Sequence, residues 1–202
     1  MKVISFLLSS FSVGAAVGSA LPVDAPVTVG LPEGYKAVNL TWSGNVTADG
    51  PEVFFTAPSF RDIDAQIHMA YPGFIWPSID ATNSTFNSTS EVMKEKDWMT
   101  CDPNGIWWAR SLRISQGIDY LRGKTGRCHM QAGPRVCSRI SCSYQSAIWW
   151  CNDNDHDITI DCAQWSDYAQ DILNGCQDNG QVKGQEFARE SWNILVGLDT
   201  DC

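Results

Sequence analysis

The chain has 202 residues, with 14 Lys and Arg against 23 Asp and Glu and a formal net charge of −9. That acidity argues against non-specific binding to nucleic acid or to an anionic membrane surface. Eight cysteines, none before Cys101, form an even set that reads as four disulfides in an exported chain.

Lys2 is the only charge in the first twenty residues. An apolar run spans Val3 to Val17, and Gly18-Ser19-Ala20 supplies small residues before a cut near Ala20/Leu21. This is the three-part plan of a secretory signal peptide, residues 1–20. The run is shorter than the roughly 20 apolar residues a spanning helix needs, and no later stretch is longer, so no membrane span is expected. Its removal leaves 13 basic against 23 acidic residues, a net charge of −10.

Residues 21–35 carry three prolines and read as an extended arm. Ala37–Trp42 and Glu52–Thr56 read as strands, joined by a turn around Ala48-Asp49-Gly50-Pro51. Ser59 suits a helix N-cap, Ile63, Ile67 and Ala70 form a helical stripe, and Pro72 stops it. Residues 21–77 are therefore expected to form a glycosylated β-β-α extension, followed by a Ser/Thr-rich linker or loop over 78–98. Four N-x-S/T sequons, at Asn39, Asn45, Asn83 and Asn87, mark this half as surface that carries glycans.

The second half, 99–202, is expected to be a cysteine-rich core. Ile114, Ile118 and Leu121 mark a helix ending at Gly123. Arg139–Ser143 and Ala147–Cys151 read as a hairpin about Tyr144–Ser146, and Ile158–Cys162 as a strand. Trp165, Tyr168, Ala169, Ile172, Leu173 and Cys176 mark a second helix closed by Gly175. Gln181–Phe187 and Trp192–Leu198 read as strands. The expected class is α+β: an antiparallel sheet with two helices on one face, stapled by disulfides. Cys101, Cys128, Cys137, Cys142, Cys151, Cys162, Cys176 and Cys202 allow 105 pairings, so spacing alone assigns none. With no C-x2-C pair, zinc is not expected, nor is any other cofactor.

Signatures of chemistry are sparse. No G-x-S-x-G elbow, H-E-x-x-H pair, phosphate loop or dinucleotide fingerprint is present. The cluster Asn152-Asp153-Asn154-Asp155-His156-Asp157 fails as an EF-hand, because Ile158 stands where glycine is needed and Gln164 where a bidentate Glu is needed; it reads as a polar turn. His68 reads as structural or exposed rather than catalytic. A nuclease-like site could be built only around His129, among Arg122, Lys124, Arg127 and Arg135. Between Arg110 and Arg139 seven basic residues face one acid, whereas Asn152–Asp171 holds six acids and no Lys or Arg. The two stretches can pair within the fold, or the first can form an anion-recognising patch. On a strand, one of Trp149 and Trp150 should be core and the other outward. The candidate partner-binding set is thus Arg122, Lys124, Arg127, Arg135, Arg139, Trp149 and Trp150.

The segment Cys137–Asn154 (CSRISCSYQSAIWWCNDN), with Gly184-Gln-Glu-Phe187 and Trp192-Asn-Ile-Leu-Val196 downstream, resembles a group of fungal small secreted cysteine-rich proteins regarded as candidate effectors. The resemblance covers roughly residues 101–202, with an echo in 37–76. More distantly, the chain is similar to Ecp-type apoplastic effectors and killer-toxin-like α/β sandwiches, though it has no dibasic processing site. The resemblance implies a non-enzymatic, extracellular, monomeric protein that binds a host or competitor protein or glycan and contributes to virulence. The alternatives are a secreted nuclease-like hydrolase and a carbohydrate-binding or structural protein of the cell wall.

Overall fold

The computed structural model describes residues 30–47, 49–77 and 96–202. The expected signal peptide, the start of the expected arm, the sequons at Asn83 and Asn87 and most of the Ser/Thr-rich stretch lie outside the described residues. In chain order the elements are β1 (Lys36–Ala37), β2 (Leu40–Asn45), β3 (Glu52–Ala57), α1 (Phe60–Ala70), β4 (Lys96–Thr100), β5 (Ala109–Arg110) and α2 (Ser111–Arg122). There follow β6 (Arg127–Met130), β7 (Val136–Ser143), β8 (Ser146–Asn152), β9 (Ile158–Asp161), α3 (Gln164–Cys176), β10 (Gln177–Asp178), β11 (Gln181–Val182), β12 (Gly184–Ala188) and β13 (Trp192–Leu198).

The class is α+β, with three helices and mixed sheets. Six strands run in the order β1-β7-β8-β13-β12-β4, four in the order β3-β2-β6-β9, and β10-β11-β5 make a small third sheet. All pairings are antiparallel except β1 with β7. Alternation splits the long strands cleanly. Ile148 and Trp150 of β8, with Trp192, Ile194 and Val196 of β13, join Ile63, Ile67, Ile114, Ile118, Leu121, Trp165 and Ile172 of the helices in the main core. On the opposite face, Trp149, Leu195, Ala147 and the Cys137 and Cys151 side chains form a second cluster with Ile106, covered in part by Leu31 and Tyr35.

The β-β-α order expected near the N-terminus is present, and it is woven into the cysteine-rich half. β2 lies between β3 and β6, and Leu40, Trp42 and Phe60 are fully buried. The Trp42 indole N–H donates to the Thr125 carbonyl at 2.7 Å. α1 begins as expected: Ser59 is extended, and its hydroxyl accepts from the Asp62 N–H at 3.2 Å. α3 runs past Gly175 to Cys176, so Gly175 does not stop the helix. Its missing side chain instead makes room for β4, since a Cβ there would lie 2.5 Å from Met99 Cε. β4 itself starts inside the stretch read as linker, and β6 has no counterpart among the sequence expectations.

Four disulfides close the fold: Cys101–Cys176, Cys128–Cys162, Cys137–Cys151 and Cys142–Cys202. They join β4 to the end of α3, β6 to the segment after β9, β7 to β8, and the end of β7 to the last residue. The spans of 14 to 75 residues correspond to roughly 3–4.5 kcal/mol each in the chain-entropy picture.

Candidate recognition groove

The basic residues singled out in the sequence do not gather. Arg122, at the end of α2, donates to Asp119 at 3.0 Å and to Gln170 at 3.2 Å. Arg127 lies exposed on the outer face of the four-stranded sheet, in register with Ser43. Arg135 has a left-handed φ of 63° and packs over Gly34. Arg139 donates to Asp199 at 2.9 Å. Lys124 is buried: its Nζ lies 3.2 Å from Asp64 Oδ2 and 4.4 and 4.3 Å from the rings of Trp76 and Tyr120. It cannot meet a partner, which corrects the expectation for this residue. Three of these cations form ion pairs within the fold, with Asp119, Asp64 and Asp199, while the charges of Arg122 and Arg135 also act on Asp167 and Asp153 of the acidic run at 152–171 and oppose the rise that burial imposes on them.

Trp149 and Trp150 point to opposite faces as strand geometry requires, yet both are buried, at 3% and 0% exposure. The expectation of an outward tryptophan there is corrected: both sheet faces are covered. Trp150 packs on Trp165, with ring centroids 5.5 Å apart. The exposed aromatics lie elsewhere. Trp107 and Tyr144 are among them, and so is Trp98, stacked on Phe187 at 4.2 Å.

His129 sits on the outer face of the four-stranded sheet. Its Nε2 is 2.9 Å from Ser43 Oγ and its Nδ1 2.8 Å from Thr159 Oγ1. Burial, then the Arg127 charge, lowers its pKa below the usual histidine value. A serine hydrogen-bonded to a histidine is the start of a nucleophile–base pair. Here Ser43 is 1% exposed, and the second ring nitrogen meets a hydroxyl where a triad has a carboxylate. The face carries exposed Phe54, whose ring centroid lies 6.4 Å from that of His129, and Arg127 is its single arginine.

The Asn152–Asp157 segment is a polar turn. Asn152 Nδ2 donates to the carbonyls of Gln131 and His156, and its Oδ1 accepts from the Asn154 N–H, all at 2.9 Å. His156 is exposed beside Asp155, and His68 lies 3.4 Å from Asp64 on α1. Among the described residues, Cys142, Asp199 and Cys202 have metal-ligand spacing, but both sulfurs belong to one disulfide and offer no thiolate.

What the fold does build is a groove of about 770 Å³ along the outer edge of β7. β1 pairs with β7 only at Val136 and Cys137, and Ser59 bridges Arg139. Beyond that point Ile140–Ser143 have no strand on the side away from β8 among the described residues. A bulge between Arg139 and Ser141 bends the edge, a device that discourages another strand from adding. One wall is the first turn of α1 with Ser59, Arg61 and Asp62; the other is Asp201 and Cys202.

The groove is held rigidly. Asp199 is fully buried; one oxygen receives Arg139 and the other the Asp201 N–H at 2.9 Å. Tyr144 and Gln145 have φ of 49° and 61° in a two-residue turn between Ser143 and Ser146, the geometry of a type I′ hairpin. Glycine or asparagine would fit without strain; here each residue bears roughly 1–2 kcal/mol. Several contacts hold the turn, among them the Asp199 N–H donating to the Gln145 carbonyl at 3.2 Å. Arg113 stacks on the Tyr144 ring at 3.9 Å, and the Gln145 N–H donates to the Cys202 carbonyl at 3.2 Å. The Tyr144 ring still stands 65% exposed at the rim. The groove therefore offers guanidinium, carboxylate and hydroxyl groups beside an aromatic ring, with no histidine among its lining residues. Such a set can hydrogen-bond and stack.

Tyr144 is not among the residues that the sequence singles out, although the turn at Tyr144–Ser146 is legible in it. The signal available was its position at the tip of a hairpin with no glycine. No family model, curated protein or solved structure matches this chain.

Proposed function

We propose that this protein is a secreted, effector-like binding protein that engages a host or competitor component outside the cell without chemical turnover. Four disulfides fit an extracellular protein, and no described helix is long and apolar enough to cross a membrane. The observation that carries the reading is the groove beside β7, where a strained turn, an ion pair to the buried Asp199 and a disulfide together fix Tyr144 and Arg139. Pre-organised polar surfaces of this kind bind at lower entropic cost than mobile ones. The nuclease-like alternative draws no support from His129, which lies on an open sheet face with its serine partner buried.

Infiltration of purified protein into plant tissue tests the proposal. The wild type should alter cell death or immune output, the Arg61→Glu/Tyr144→Ala variant should lose that effect, and His129→Ala should keep it. Equal responses to wild type and groove variant would remove the groove from the function. A turnover activity that disappears in His129→Ala would replace binding by catalysis.

A further inference from the structure

We propose that an N-glycan on Asn45 is a built-in part of the fold, its first sugars lying in the hollow between Asn45–Thr47 and Gly73–Ile75. The proposal is independent of the β7 groove. Asn45 closes β2, is exposed, and starts the sequon Asn45-Val46-Thr47. Its Nδ2 donates to the Gly50 carbonyl at 2.7 Å, which fixes the direction of the amide. A glycosylated asparagine keeps one of its two amide hydrogens, so this bond and the sugar can coexist.

Asn45 itself lines a cavity of about 490 Å³, opposite Phe74 and Ile75. Ile75 is 84% exposed, and Phe74 is half-buried against Trp76, with centroids 4.9 Å apart. An aliphatic side chain left open beside a sequon is the surface that the apolar face and acetyl methyl of an N-acetylglucosamine can cover, and that burial is favourable. Phe54 is the other exposed apolar neighbour. It projects from the same strand face as Ser43, diagonal to Asn45, and does not line this cavity.

The test uses the full chain secreted from a glycosylating eukaryotic host. The Asn39, Asn83 and Asn87 sequons are changed to Gln so that only Asn45 can carry sugar. Mass spectrometry should find Asn45 occupied. Thermal melting of this protein should lie about 2–4 °C above that of the form that also carries Asn45→Gln. Ile75→Ser should erase the difference between sugared and sugar-free protein, and Phe54→Ser should preserve it. If the triple variant is not secreted, the comparison runs between wild type and the single Asn45→Gln change. An unmodified Asn45, equal melting temperatures, or a difference erased by Phe54→Ser rather than Ile75→Ser would overturn the proposal.

Discussion

Lys124 and Asp64 form a buried ion pair whose remaining valences are filled. Trp76 donates its indole N–H to Asp64 at 2.6 Å and Tyr120 its hydroxyl at 3.0 Å. Burial alone would raise the Asp64 pKa; the Trp76 bond, the Lys124 charge and the Tyr120 bond outweigh it and hold the carboxyl below its usual value. Removing one partner leaves the other charge buried and unmatched. Lys124→Ala should therefore cost roughly 3–5 kcal/mol in urea unfolding, while the apolar double variant Lys124→Met/Asp64→Leu should cost less than either single change. Additive losses would contradict this account. The pair also shows what single residues disclose in sequence. Lys124 reads as a member of a basic run because charge is visible in one dimension and burial is not. Trp149 and Trp150 misled in the same way: alternation gave their opposite directions correctly, but whether the second face is covered depends on Leu31, Tyr35 and Ile106 from distant segments.

At the scale of elements, the helices and the β7–β8 hairpin were legible because periodicity and turn residues are local signals. β4 and β6 were not. β6 is four residues long and pairs with a strand 84 or more residues before it and one about 30 after it; β4 is a charged edge strand. β4 is held to its neighbours from three sides: Lys96 pairs with Asp171 of α3 and with Glu186 of β12, Trp98 stacks on Phe187, and Cys101 is bonded to Cys176. The disulfide spans 75 residues, and its loss through Cys101→Ala/Cys176→Ala should lower stability by about 4 kcal/mol. Because β4 is an edge, limited proteolysis should accelerate first on this strand. A double variant that melts with the wild type would show that Lys96 and Trp98 hold β4 unaided. Of the three candidate-site basic residues that pair internally, Arg122 is legible, because Asp119 lies three residues before it on α2. The partners of Lys124 and Arg139 are not: Asp64 and Asp199 lie 60 residues away in sequence and are brought there by packing, which no spacing rule names.

For the whole molecule, the ionisable groups set a pH dependence with a definite sign. Glu186 is 5% exposed. Burial raises its pKa, Lys96 opposes the rise and Asp171 adds to it, and the value reaches about 7 from 4.5. Asp153 and Asp167 are also raised, burial again being the largest cause. An acid whose folded pKa is raised holds its proton in the native state after the unfolded chain has released it. Its contribution is fully present below the unfolded pKa and is lost as pH climbs through the folded value. For Glu186 that window runs from 4.5 to about 7, and the loss is at most about 3 kcal/mol. Asp64 acts with the opposite sign. Its pKa is lowered from 3.8, so its contribution is present above that value and disappears as pH falls below it. Stability should therefore peak on the mildly acidic side, between an acid limb set by Asp64 and a descending limb set by Glu186. Thermal melts from pH 3 to 8 on wild type and Glu186→Gln separate the two limbs. The substitution should flatten the fall between pH 5 and 7 and leave the acid limb in place, because glutamine fills the same site without a proton to lose. A wild-type melting temperature that rises steadily to pH 7 would mean that Lys96 stabilises the Glu186 carboxylate more than burial penalises it, and the edge-strand contact would then be an ordinary ion pair.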